Sequence, residues 1–110
     1  MAYDEELAFR VRAMLDDASG VTEKAMFGGL AFMLNGNMAM AVSGRGGLMA
    51  RLTSEAADAL LGEPGVTPFE MRGKPIAGWL RVDAEAVEED SELRDWVERC
   101  AAFAASLPPK

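Results

Sequence analysis

The side chains best suited to chemistry in this sequence are cationic. Arg51 lies near the end of the third predicted strand, and Arg72 and Lys74 shortly precede Trp79. Guanidinium groups donate paired hydrogen bonds to carboxylate and phosphate oxygens, so these four residues define a candidate site for a small anionic ligand. Ion pairs with Glu55, Glu70 or Asp83 would account for the same residues without a ligand. Catalytic groups are harder to assemble. The chain has no histidine and one cysteine, which removes the commonest general base and metal ligand and leaves Cys100 unable to form an internal disulfide or a zinc site. Asp16-Asp17 and Glu88-Glu89-Asp90 fall on predicted helix exteriors, where a charge run is ordinarily solvated. No Gly-x-Ser-x-Gly nucleophile elbow occurs. The glycine-rich run Ser43-Gly44-Arg45-Gly46-Gly47 is followed by a predicted strand, whereas a phosphate cradle needs a helix N-terminus at that point, so it reads as a hairpin turn. The expectation is a protein without catalytic residues, metal or cofactor.

A second group of residues is suited to contact. Met26, Met33, Met38, Met40 and Met49 are concentrated in three predicted strands, and methionine suits both irregular cores and adaptable binding surfaces. Phe9 falls off the apolar stripe of the first helix. Phe9, Met26, Phe27, Met38 and Met40 together form the candidate interaction face.

The elements that must position these residues fit one domain over residues 1–110. Half the residues are apolar and 26% are charged, as in ordinary globular proteins. Eighteen acidic residues oppose eleven basic ones, for a net charge of -7. The excess is terminal: residues 1–19 hold five acids and two bases, 20–83 hold six of each, and 84–110 hold seven and three. No basic segment followed by an apolar one opens the chain, and no apolar run approaches the ~20 residues of a membrane span. A cytoplasmic location without membrane contact is expected.

Tyr3, Leu7, Val11, Met14, Leu15 and Ala18 line one face of a helix over about 3–18, with Gly20 as its stop. Residues 25–34 are apolar on both faces and read as one strand, in which Gly28-Gly29 suggests a bulge. Asn35-Gly36 is a strong hairpin signal. The return strand sets Met38, Met40 and Val42 against Ala39, Ala41 and Ser43, and the small side is expected to face the helices. Leu48 to Leu52 form a third strand. Thr53 or Ser54 caps a short helix to Leu61, ended by Gly62 and Pro64. Strands over 68–71 and 78–83 follow, the second with Leu80 and Val82 on one face and Trp79 and Arg81 on the other. Ser91 caps a final helix striped by Leu93, Trp96, Val97, Cys100, Phe103, Ala104 and Leu107, ended by Pro108-Pro109. Cys100 lies in that stripe and reads as a buried apolar residue. The simplest architecture is a two-layer α+β domain, with a mostly antiparallel five-stranded sheet and helices on one face.

These residues also carry a resemblance. Lys24-Ala25-Met26-Phe27-Gly28-Gly29-Leu30-Ala31-Phe32-Met33, the Asn35-Gly36-Asn37-Met38 turn, Arg51, Phe69-x-x-x-Gly73-Lys74-Pro75-x-x-Gly78-Trp79 and the ending Leu107-Pro108-Pro109-Lys110 resemble the TfoX/Sxy N-terminal domain family over nearly the whole chain. The resemblance implies a secretion-chaperone-like fold: helix, three strands, helix, two strands, helix. It also implies kinship with regulators of natural competence, in which a C-terminal domain associated with nucleic-acid binding follows. The sequence stops at Lys110, so a stand-alone domain is expected. The family implies no catalytic residues.

Three readings of function follow. The first is a small regulatory module that binds protein, expected as a homodimer. The second is nucleic-acid binding through Lys24, Arg45, Arg51, Arg72, Lys74 and Arg81, which charge disfavours because a chain of net -7 must gather its few bases on one face. The third is the anionic-ligand site at Arg51, Arg72, Lys74 and Trp79.

Overall fold

A computed structural model describes residues 3–26 and 28–109. Phe27, expected in the interaction face, lies outside the described residues. The element order is α1 (Glu5–Met14), β1 (Val21–Met26), β2 (Gly29–Leu34), β3 (Asn37–Val42), β4 (Leu48–Arg51), α2 (Ser54–Leu60), β5 (Val66–Met71), β6 (Lys74–Val82), a 3-10 turn (Ala84–Val87) and α3 (Asp90–Ser106). The six strands form one antiparallel sheet in the order β1-β2-β3-β4-β6-β5.

The sheet has six strands rather than the expected five. Residues 25–34 do not form one strand: the chain reverses around Gly28 (φ 74°), and Val21–Met26 pairs back on Gly29–Leu34 as a separate edge strand. Its sequence, Val-Thr-Glu-Lys-Ala-Met, shows no buried face, because its middle four residues are all solvent-exposed. An edge strand of this kind lacks the apolar alternation by which strands are recognised, and its charges protect the free edge.

Each helix end has a local cause. Asp4 caps α1, its carboxylate accepting from the backbone N–H of Glu6 and Leu7 at 3.0 and 3.1 Å. The helix stops at Met14 instead of reaching Ala18. Asp16-Asp17 at its C-terminal end would oppose the helix dipole, and the chain leaves in turns that still deliver Leu15 to the core. Thr53 caps α2 through its hydroxyl oxygen, which accepts from Ala56 N–H at 3.1 Å. The expected Ser91 cap is not used. The α3 helix begins at Asp90 with Glu89 as N-cap and no capping side chain, after a 3-10 turn that inserts the buried Val87 into the core.

All three helices share one apolar cluster with one face of the sheet: Leu7 and Val11 of α1, Ala57 of α2, and Leu93, Trp96, Val97, Cys100 and Ala104 of α3 pack on Leu30, Phe32, Met40, Val42, Leu48, Leu80 and Val82. Beyond Ala39, β3 turns toward the helices the side opposite to the expected one, whereas Ala39 itself packs with the helices and Met38 lies on the other face, both as expected. Met40 and Val42 face the helices, while Ala41 belongs to a separate cluster on the other face. A bulge produces the change, because Phe32 pairs with Met40 and Met33 with Met38, leaving Ala39 as the extra residue. Small residues of both layers belong to this cluster, Cys100, Ala101 and Ala104 from α3 and Ala39 and Ala50 from the sheet.

Two polar ties hold the C-terminal end of this layer. Buried Asn37 donates its side-chain amide to the carbonyl of Pro108 at 2.9 Å. The Arg51 guanidinium donates to the carbonyl of Met38 at 3.2 Å and lies 5.5 Å from the Phe103 ring centroid.

Candidate functional site

Among the described residues no helix packs on the second face of the sheet. Its centre is Ala31, Ala41 and Met49, all buried, flanked by half-buried Met26, Met38, Phe69 and Trp79. Register places these residues in rows. Lys24 pairs with Ala31, Ala31 with Ala41, Ala41 with Met49, Met49 with Arg81 and Arg81 with Thr67, so this row runs across every strand on one face.

The β5–β6 hairpin gives this face its relief. Pro68 pairs with Leu80 and Glu70 with Pro75, so four residues of β6, Ile76 to Trp79, oppose Phe69 alone. Gly78 makes that wide bulge possible: its φ is 84°, and a Cβ there would stand 2.6 Å from the carbonyl oxygen of Leu52. The outer part of the hairpin bends over the bare face, where Phe69 packs on Trp79 with ring centroids 6.0 Å apart.

Between this arm and the sheet lies an open groove of about 720 Å³, lined by Arg45, Met49, Phe69, Glu70, Arg72 and Arg81 among others. Its three arginines come from the β3–β4 turn, the β5–β6 turn and β6. No ion pair or hydrogen bond engages their guanidinium groups among the described residues; the two ion pairs there are Arg10–Asp90 at 2.9 Å and Arg12–Glu23 at 2.6 Å.

The residues expected to form an anion site are thus only partly brought together. Arg72 lines the groove. Arg51 pairs in register with Trp79, but its guanidinium is engaged by Met38 and Phe103. Neither Arg51, Lys74 nor Trp79 lines the groove. Arg45 and Arg81 take their places. Arg81 had a usable signal, since it alternates with core residues Leu80 and Val82 and must point to the opposite face. Arg45 sits among glycines in a turn, and only the tertiary fold decides what that turn faces.

The expected interaction residues also separate. Met26 and Met38 flank the bare face together. Phe9 is 65% exposed on α1, in the helix layer on the other side. Met40 is fully buried under the helices, so it fills the core and is not available at a surface.

The helix layer has a contrasting groove of about 450 Å³, where Glu63, Asp83, Glu85, Glu92 and Asp95 surround Arg99. Arg99 lies 5.1 Å from the Trp96 ring centroid. Among the described residues no group of three or more carboxylate or thiol side chains is arranged to hold a metal ion. Burial pushes the Cys100 thiol up to about 12, so it is protonated at neutral pH and inert as a nucleophile. The hydrogen bond from Arg12 holds the Glu23 carboxyl below its usual range. No helix among the described residues is long and apolar enough to cross a membrane.

Neither a curated protein nor a solved structure gives a significant match. The family model of the TfoX N-terminal domain matches residues 13–104, a span that begins within α1, includes the whole sheet and ends near the end of α3. The chain therefore belongs to the TfoX N-terminal domain family.

Proposed function

We propose that the protein is a small, non-enzymatic regulatory module that acts by binding protein, as a homodimer, through the bare face of its sheet. Family membership supports a role like that of the N-terminal domain of competence regulators. The observation that carries the reading is the face itself: an apolar centre of Ala31, Ala41 and Met49 with a half-buried rim of Met26, Met38, Phe69 and Trp79 and no covering helix. The rim packs against the buried centre, so the surface offered to a partner is the part-exposed rim; apolar patches mark contact sites, and methionine and aromatic residues are those that interfaces enrich. The secretion-chaperone-like arrangement implied by the family belongs to the same proposal, with four strands instead of three between α1 and α2.

Sedimentation at micromolar concentration tests the dimer. The wild-type chain is expected to sediment as a dimer and Met38→Glu as a folded monomer, because a carboxylate at that rim would be desolvated by the partner. A wild-type monomer across that range overturns the homodimer. Nucleic-acid binding is the weaker reading, since a net charge of -7 opposes a phosphate backbone.

A further inference from the structure

We propose that the groove between the β5–β6 arm and the sheet is a binding site for a phosphate monoester carrying an apolar or aromatic body. Three independent features converge on it. The first is charge: Arg45, Arg72 and Arg81 face a groove whose carboxylate is Glu70, which leaves it doubly positive within a chain of net charge -7. In a molecule with 18 carboxylates, three guanidinium groups on one groove without an ion pair among the described residues are placed there against the prevailing sign. A phosphate monoester near neutral pH carries close to two negative charges, and its oxygens match the guanidinium fork.

The second feature is backbone strain. Arg72 and Gly73 form the β5–β6 turn with φ values of 54° and 78°. The β2–β3 turn has nearly the same geometry, with Asn35 at 52° and Gly36 at 84°, and uses the asparagine that tolerates a left-handed backbone. Arginine has no such tolerance. Its presence at the equivalent position costs stability and places a cation at the lip of the groove, which is the kind of outlier that accompanies a site. The third feature is the wall. Met49 and Phe69 present apolar surface beside the cations, which gives the uncharged part of an ester a place to lie.

Three separate elements deliver the cations, so the site exists only when the arm is folded over the sheet. It does not rest on the dimer reading, but Met49 and Phe69 belong to both the groove and the apolar centre, so a ligand here and a partner on that face would compete for them.

The test is titration of phenyl phosphate into the full chain, followed by backbone amide NMR shifts. Saturable shifts confined to residues 43–49 and 68–81 are expected. Arg45→Gln and Arg72→Asn are each expected to weaken binding about tenfold, as loss of a charge-assisted hydrogen bond does. Arg72→Asn keeps a turn-compatible residue, so its loss of binding is not a loss of fold. Phenyl sulfate, the same shape with one charge fewer, is expected to bind several-fold more weakly. Absence of saturable shifts, or affinities unchanged in both variants, overturns the site. Phthalate binding as tightly as phenyl phosphate overturns the phosphate assignment in favour of a dicarboxylate. Saturation by poly-glutamate or a DNA duplex, with none by phenyl phosphate, overturns it in favour of a macromolecular surface.

Discussion

The two faces of the sheet are built from alternate residues of the same strands, yet they differ in nearly every physical respect. The helix-side face is closed by long apolar side chains such as Phe32, Met40 and Leu80, all essentially inaccessible. The bare face has alanine at its centre, a rim of methionine and aromatic rings, and guanidinium groups where the arm crosses it. One face is packed under the helices, and the other has only its own methionine and aromatic rim against its centre. The acidic excess lies in the terminal segments 1–19 and 84–110, whose helices α1 and α3 pack on the other face of the sheet.

This division can be broken or sharpened by experiment. The largest contrast concerns Cys100. With its thiol pushed up to about 12 from 9.0, alkylation at pH 8 is expected to be about a thousandfold slower in the folded chain than in the denatured one, by thiolate fraction alone. Comparable rates would mean that the helix layer opens readily. Next in size is a pair of truncations across the sheet. Phe32→Ala is expected to cost ~3–5 kcal/mol in urea denaturation, whereas Met38→Ser, on the half-exposed rim, is expected to cost under ~1 kcal/mol. Equal costs would show that the bare face is a second core.

Gly78→Ala adds a Cβ against the Leu52 carbonyl and forces a left-handed alanine; a loss of roughly 2 kcal/mol is expected, together with displacement of the arm seen as amide shift changes around Phe69. Arg72→Asn is expected to act in the opposite direction, raising stability by about 0.5–1 kcal/mol through relief of the left-handed arginine. A drop in stability would remove the strain argument.

The smallest effect concerns the Arg12–Glu23 pair. The Glu23 pKa is lowered in the folded chain, chiefly by the Arg12 hydrogen bond, so its contribution is present above the unfolded carboxyl value near 4.5 and is lost as pH falls through the folded value. The stability difference between wild type and Glu23→Gln is expected to be small at pH 7, as exposed pairs usually are, and to vanish on acidification. A difference that persists in strong acid, with the carboxyl protonated in both states, would show that the pair is not its source.

Much of this fold was legible from residue types. The stripe from Leu93 to Ala104 announced α3, Asn35-Gly36 announced its hairpin, and alternation around Trp79-Leu80-Arg81-Val82 put the two faces of β6 in their observed places. The candidate site was legible only in part. Arg72 was found because cations in a short stretch are visible, but Arg51 was grouped with it although its guanidinium is occupied by Met38 and Phe103. β1 escaped because an exposed edge strand has no apolar period to read. Met40 was misplaced because one extra residue, Ala39, inverts the alternation that a simple strand would keep.

By itself the sequence determined the composition of the layers: two acidic terminal segments, a neutral middle segment rich in methionine, a cysteine set in an apolar helical stripe and no histidine. Those properties depend on residue type and local period, which neighbours in the chain reveal. Only the tertiary structure decided which methionines are core and which arginines meet. Both depend on a bulge at Ala39 and a wide bend at Gly78, and a single-residue shift in strand register reverses the face that every following side chain occupies.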